Sequence, residues 1–160
     1  LVYETRSEYS HIKVVQQGEI KYLYFVRDNG EEVVESAVNL RHPENLILEY
    51  TQEMFASFLV KQEQRESLLI GLGGGGMVNF INHYFPEMKL DVVEIDSVMI
   101  ETARKYFNLR ENTNTQIINE DAFEYINKNR SRYDVIYMDA FLKPSSQTDS
   151  TGAPRRMKTR

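Results

Sequence analysis

The sequence predicts an α/β protein: a parallel sheet with flanking helices, preceded by a small antiparallel β segment. Three observations predict it. From Ser67 onward, short apolar strands alternate with helical stretches, the pattern of right-handed crossovers onto a parallel sheet. The first of these strands runs directly into Gly71-Leu72-Gly73-Gly74-Gly75-Gly76. The first forty residues instead carry β-branched and aromatic runs parted by turn residues, which read as hairpins.

Residues 10–15 and 19–26 form two strands around Gln17-Gly18, and residues 31–36 return after Asp28-Asn29-Gly30. Asn-Gly tolerates the positive φ of a tight hairpin turn. No acid, base or nucleophile constellation stands out in this segment, residues 1–42. A linking helix is expected within 43–66. Leu46, Ile47, Tyr50, Met54, Ser57 and Phe58 recur at helical spacing, and Pro43 suits a first helical turn. The polar stretch 61–66 closes it. Residues 67–160 then read as one domain. Its strands lie at 67–70, 90–95, 116–119 and 133–138; its helices lie at 77–84, 97–107 and 122–129.

Composition removes several function classes. The net charge is -5, and the basic cluster Arg155, Arg156, Lys158 and Arg160 sits at the extreme C-terminus, which argues against a nucleic-acid surface. There is no cysteine, so disulfides, zinc-thiolate sites and thiol nucleophiles are excluded. His11, His42 and His83 show no ligand spacing, and no metal is expected. No apolar run approaches the roughly 18 residues of a membrane span, and no signal peptide is visible. A cytoplasmic protein is expected, with no membrane partner. The chain starts at Leu1, which leaves room for residues upstream.

The chemistry falls on one edge of the sheet. Gly71, Gly73 and Gly75 follow a strand and precede a helix; without side chains they let a ligand approach the backbone, and they permit positive φ in a tight turn. Glu94 ends the second strand and follows Gly75 by 19 residues, close to the separation of about 20 expected of an acid that grips ribose hydroxyls. Asp96 reads as the N-cap of the next helix. Asp121, after the third strand, either accepts from an adenine amino group or caps the helix that follows. Asp139 ends the fourth strand. Ligands of open α/β sheets bind outside the carboxyl ends of the strands, so these segments converge. Asp134 begins the fourth strand and reads as structural. A glycine turn followed by an acid also suits NAD.

Residues 68–139 resemble the nucleoside-binding half of the polyamine aminopropyltransferases, the spermidine synthase family. The resemblance rests on the glycine run, Val93-Glu94-Ile95-Asp96, Ala103-Arg104-Lys105-Tyr106-Phe107, Glu120-Asp121-Ala122 and Tyr133-Asp134-Val135-Ile136. The hairpins and the following helix are also similar to that family's layout, a small β domain before a Rossmann domain of the S-adenosylmethionine-dependent methyltransferase type. The resemblance implies transfer of an aminopropyl group from decarboxylated S-adenosylmethionine to an amine. It implies ribose binding by Glu94, adenine binding by Asp121, and deprotonation of the attacking amine by Asp139. It places Tyr50 or Thr51 in the acceptor site.

Three departures from the family pattern stand out. Gly74 occupies the position of an aspartate in the family's loop. Tyr50-Thr51-Gln52-Glu53 has one residue more than the family's tyrosine motif. Ala140-Phe141-Leu142-Lys143-Pro144 replaces an acidic, serine-rich stretch. Gly74 favours a second reading, a methyltransferase using S-adenosylmethionine itself. A third is a non-catalytic nucleoside-binding or interaction module. Four strands leave the Rossmann sheet truncated, with residues 133–138 beside the first strand and unpaired on their outer side. Residues beyond Arg160 or a second copy in a homo-oligomer would cover that edge.

Overall fold

The computed structural model describes residues 1–139. The departure at residues 140–144 and the basic cluster near Arg160 lie outside the described residues. Strands β1 (Tyr3–Arg6), β2 (His11–Gln17), β3 (Ile20–Val26) and β4 (Glu32–Asn39) form an antiparallel sheet in sequential order. The hairpin turns use Gly18 and Gly30 at φ of 59° and 83°, a region glycine enters without strain. The sequence pattern did not reveal β1, whose four residues carry no apolar alternation beyond Tyr3. In the β3–β4 ladder Leu23 faces Ser36 and Tyr24 faces Val34, so Glu35 is an extra residue, a bulge.

The linking segment differs from expectation. Pro43 does not start a helix. His42 O accepts from Asn45 N at 3.0 Å, which places Pro43 second in a turn, where its fixed φ also fits. The helical stretch begins six residues later and is broken in two, α1 (Glu49–Met54) and α2 (Ser57–Val60). At the break, Phe55 turns inward onto Phe80 and Tyr137, with ring centroids 4.4 and 5.4 Å away. The polar run that follows is not merely a solvated link. Gln64 is buried, donates to Ser57 Oγ at 3.1 Å and accepts from the Tyr137 hydroxyl at 2.6 Å.

Strands β5 (Glu66–Ile70), β6 (Lys89–Glu94), β7 (Thr115–Asn119) and β8 (Val135–Met138) are parallel, in the order β7-β6-β5-β8. Helices α3 (Gly76–Tyr84), α4 (Ser97–Tyr106) and α5 (Ala122–Lys128) make the crossovers. The fourth strand lies beside the first and is the sheet's edge among the described residues, with Ile136 and Met138 exposed. Leu68, Leu69, Leu90, Val92 and Val93 are all buried, as expected for central strands covered on both faces. Met77, Val78 and Ile81 of α3 pack on one face with Leu69, Leu90 and Val92.

The two sheets share a core. Ile12, Val14, Leu23 and Val38 of the antiparallel sheet close on Met99 of α4 and Phe107 just after it. Asp96 does more than cap. Its Oδ1 accepts from Val98 N at 3.0 Å, while Oδ2 accepts from the Ser7 and Ser10 hydroxyls at 2.5 and 2.7 Å. A helix cap thereby anchors the N-terminal sheet. At the other end of the parallel sheet, Asp134 accepts from Arg65 N and Glu66 N and pairs with Lys61. These contacts hold its carboxyl well below the usual range.

Candidate functional site

The strands place the acids in a row. Val93 and Met138 both stand opposite Ile70. The next residues, Glu94 and Asp139, therefore flank Gly71 on either side, two strand spacings or about 10 Å apart along the backbone. Gly71 N donates to Val93 O and Asp139 N donates to Ile70 O, at 2.9 and 2.8 Å, so the ladder runs up to the turn on both sides. From β5 the chain steps outward through β6 to β7 and then returns across the sheet to β8 on the other side of β5, and the turn sits at that switch point, where open sheets bind ligands.

The turn needs its glycines for two different reasons. Gly71, Gly73 and Gly75 have φ of 89°, 52° and 80°, which side chains oppose. Gly74 is held by space. A Cβ there would stand 2.7 Å from Ser36 Oγ and 3.0 Å from a Phe107 ring carbon.

Glu94 is tied to the turn. Oε2 accepts from Leu72 N at 2.9 Å and Oε1 from Asp96 N at 2.8 Å. Each oxygen keeps a second lone pair, enough for a vicinal diol. Burial raises its pKa against the lowering effect of those amides. Asp121 takes the capping role: Oδ1 accepts from Phe123 N and Glu124 N at 2.9 and 3.0 Å. It stands at the same edge, one strand beyond Glu94, and its Oδ2 is left over. Of the two acceptor-site candidates, Thr51 bonds back to Leu48 O at 2.6 Å. Tyr50 faces the site, its hydroxyl 2.9 Å from Glu35 O and hydrogen-bonded to the Asp139 carboxyl.

Asp139 is the acid on the other side of the turn from Glu94. Its Oδ1 is buried without a hydrogen-bond partner among the described residues. Burial pushes its pKa up to about 7; the Tyr50 bond lowers it and the Glu94 charge raises it further.

Sequence reasoning missed Glu35. Its side chain is 6% exposed, and its pKa is pushed up to about 8 by burial, then by the charges of Asp139 and Glu94. The signal lay in Val33-Val34-Glu35-Ser36-Ala37-Val38: a charge in the inward phase of an otherwise apolar strand. Among the described residues no Lys or Arg contributes to the shifts of Glu35 or Asp139. A hollow at the opposite strand ends, lined by Glu66, Lys89, Asp91, Ser131 and Tyr133, offers less. Its Asp91 already accepts from the Tyr125 and Tyr133 phenols at 3.0 and 2.6 Å.

Strand order, glycine turn and an acid ending the second strand define a Rossmann-type protein of the methyltransferase-like class. Residues 49–152 match the family model described as the spermine/spermidine synthase domain, and the chain belongs to that family. A polyamine aminopropyltransferase of Vibrio vulnificus is 30% identical over 144 residues, 88% of this chain and 48% of the relative. The chain spans about half the length of the curated relatives it matches. The fold is that of a probable spermidine synthase from Corynebacterium glutamicum, with a TM-score of 0.74 at 22% identity over 88% of this chain and 52% of that one. Human methyltransferase-like protein 13, solved with SAH, is similar over 61% of this chain and 50% of its own, with a TM-score of 0.53 and 28% identity.

Proposed function

We propose that the protein is an aminopropyltransferase that uses decarboxylated S-adenosylmethionine and a small amine acceptor. In this reading Gly71, Gly73 and Gly75 admit the nucleoside to the backbone, Glu94 binds the ribose, and Asp121 takes the adenine amino group on the oxygen its helix cap leaves over. The acceptor amine sits against Tyr50 and Asp139. An ammonium has no lone pair, so Asp139 takes its proton. The amine nitrogen then attacks the carbon next to sulfur. A C–N bond forms, the C–S bond breaks, and its electron pair leaves with sulfur as the neutral thioether methylthioadenosine. The leaving group is already cationic and needs no acid. The cytoplasm is the setting this reading implies, with no metal required.

The observation that carries the proposal is the Asp139 carboxyl: one oxygen buried and without a partner among the described residues, braced by Tyr50 and level with the glycine turn. The family membership and the relatives named polyamine aminopropyltransferase support it. The test is incubation with decarboxylated S-adenosylmethionine and 1,4-diaminobutane, reading methylthioadenosine and the aminopropylated amine. Formation of S-adenosylhomocysteine from S-adenosylmethionine, with no methylthioadenosine, would move the protein to the methyltransferase reading. Gly74 and the likeness to methyltransferase-like protein 13 favour that alternative.

A further inference from the structure

A buried acid that no basic group among the described residues answers is the part of this site which the reaction above leaves unused. Glu35 is 6% exposed, and burial and then the charges of Asp139 and Glu94 raise its pKa. Oδ1 of Asp139, whose charge acts on Glu35, is buried without a partner among the described residues. Ionised carboxylates left this way are costly, and a cation among them offsets the cost. The backbone is shaped to put Glu35 there. It is the extra residue of the β3–β4 bulge, a device that re-aims a side chain. Its carbonyl is held by the Tyr50 hydroxyl, which also bonds Asp139. The next residue, Ser36, closes over Gly74, so the turn, whose one side chain is the buried Leu72, has no polar group of its own side chains with which to reach a ligand.

We propose that Glu35 is the specificity residue of the donor site: its carboxylate holds the primary ammonium of a decarboxylated donor, and together with Glu94 and Asp139 it turns away a donor that keeps its carboxylate. This rests on the nucleoside-binding reading above. The decarboxylated donor carries a sulfonium and an ammonium and no anion. Its parent carries a carboxylate beside that same ammonium. A buried group of acids favours the first and repels the second. The selecting charge thus comes from the N-terminal sheet, across the core it shares with α4, and Asp139 stays available for the incoming amine.

The test is calorimetry of the wild-type protein, Glu35→Gln and Glu35→Asp with three ligands: decarboxylated S-adenosylmethionine, S-adenosylmethionine and methylthioadenosine. Methylthioadenosine has the nucleoside and no ammonium. The wild type is expected to bind the decarboxylated donor at least about tenfold tighter than its parent. Glu35→Gln should lose about 10- to 100-fold for the decarboxylated donor, the scale of one charged hydrogen bond. It should keep methylthioadenosine, and Glu35→Asp should fall between. Unchanged donor binding in Glu35→Gln, or equal loss for methylthioadenosine, would overturn the assignment while leaving the nucleoside site in place. A wild type that prefers S-adenosylmethionine would overturn it as well. A wild type that binds none of the three removes the nucleoside reading itself.

Discussion

Ser36 Oγ stands where a side chain on Gly74 would grow, 2.7 Å from an added Cβ, with Phe107 at 3.0 Å behind it. The N-terminal sheet is thus the lid of the glycine turn rather than a separate appendage. The Gly74 backbone is not left-handed, so the obstacle to a side chain there is packing alone.

Gly74→Ala is accordingly expected to destabilise the fold by about 1–3 kcal/mol, the usual cost of overpacking. Ser36→Gly in the same chain should recover part of that loss, because it removes the nearer contact. Urea midpoints of the two single variants and the double variant measure the coupling. Strict additivity would mean that β4 does not rest on the turn in solution.

Glu94 joins three pieces of backbone: the end of β6, Leu72 of the turn, and Asp96 at the start of α4. Glu94→Ala should weaken methylthioadenosine binding by about 1–3 kcal/mol, the scale of hydrogen bonds to a charged group. It should also lower the unfolding temperature in the absence of ligand, since two amides lose their acceptor. Unchanged affinity in a thermal-shift titration would take the ribose away from Glu94. Tighter binding of NAD than of methylthioadenosine would make the site a dinucleotide site.

Much of this site was legible in the sequence because periodicity and strand ends report one-dimensional facts. The glycine turn, Glu94 and Asp139 each lie at a strand's carboxyl end, and alternation of strand and helix fixes which end that is. Asp121 was left open between two roles, and the side-chain geometry assigns one of its oxygens to the cap. Glu35 was legible only as a charge in the inward phase of its strand. Its place in the site depends on a bulge and on packing of the first sheet over the second, which are tertiary facts that hairpin patterns do not encode. The linking segment failed for a local reason: Pro43 fits a turn as readily as a first helical turn.

Asp139→Asn is expected to bind methylthioadenosine nearly as well as the wild type and to turn over about 10²–10⁴ times more slowly, the span of a lost general base. Tyr50 would still hold the amide, so the geometry survives. The pH profile carries a second signature. In the free enzyme the Asp139 carboxyl titrates near 7, so kcat/KM should rise with pH to a limb close to that value and then level. Full activity in the Asn variant would reduce Asp139 to a positioning residue.

The same acids set the pH dependence of stability without ligand. Glu35 and Asp139 have ordinary values of 4.5 and 3.8 when unfolded and are pushed up to about 8 and about 7 in the fold, chiefly by burial. Between those limits the folded chain holds more protons than the unfolded chain. Their stabilising contribution is therefore full below about pH 4 and is lost as pH rises through 7 and 8. The slope approaches about 1.4 kcal/mol per pH unit for each extra proton the fold retains. Glu94, raised in the same direction, adds to it; Asp134, held low by Lys61 and two amides, acts only at more acid pH. Chemical denaturation from pH 5 to 9 should show a falling midpoint in the wild type and a flatter one in the Glu35→Gln, Asp139→Asn double variant. A cationic ligand that fills the site should restore the wild-type midpoint most at the alkaline end. A wild-type midpoint that rises across this range would mean that Glu35 and Asp139 are ionised and answered by a positive group of the protein.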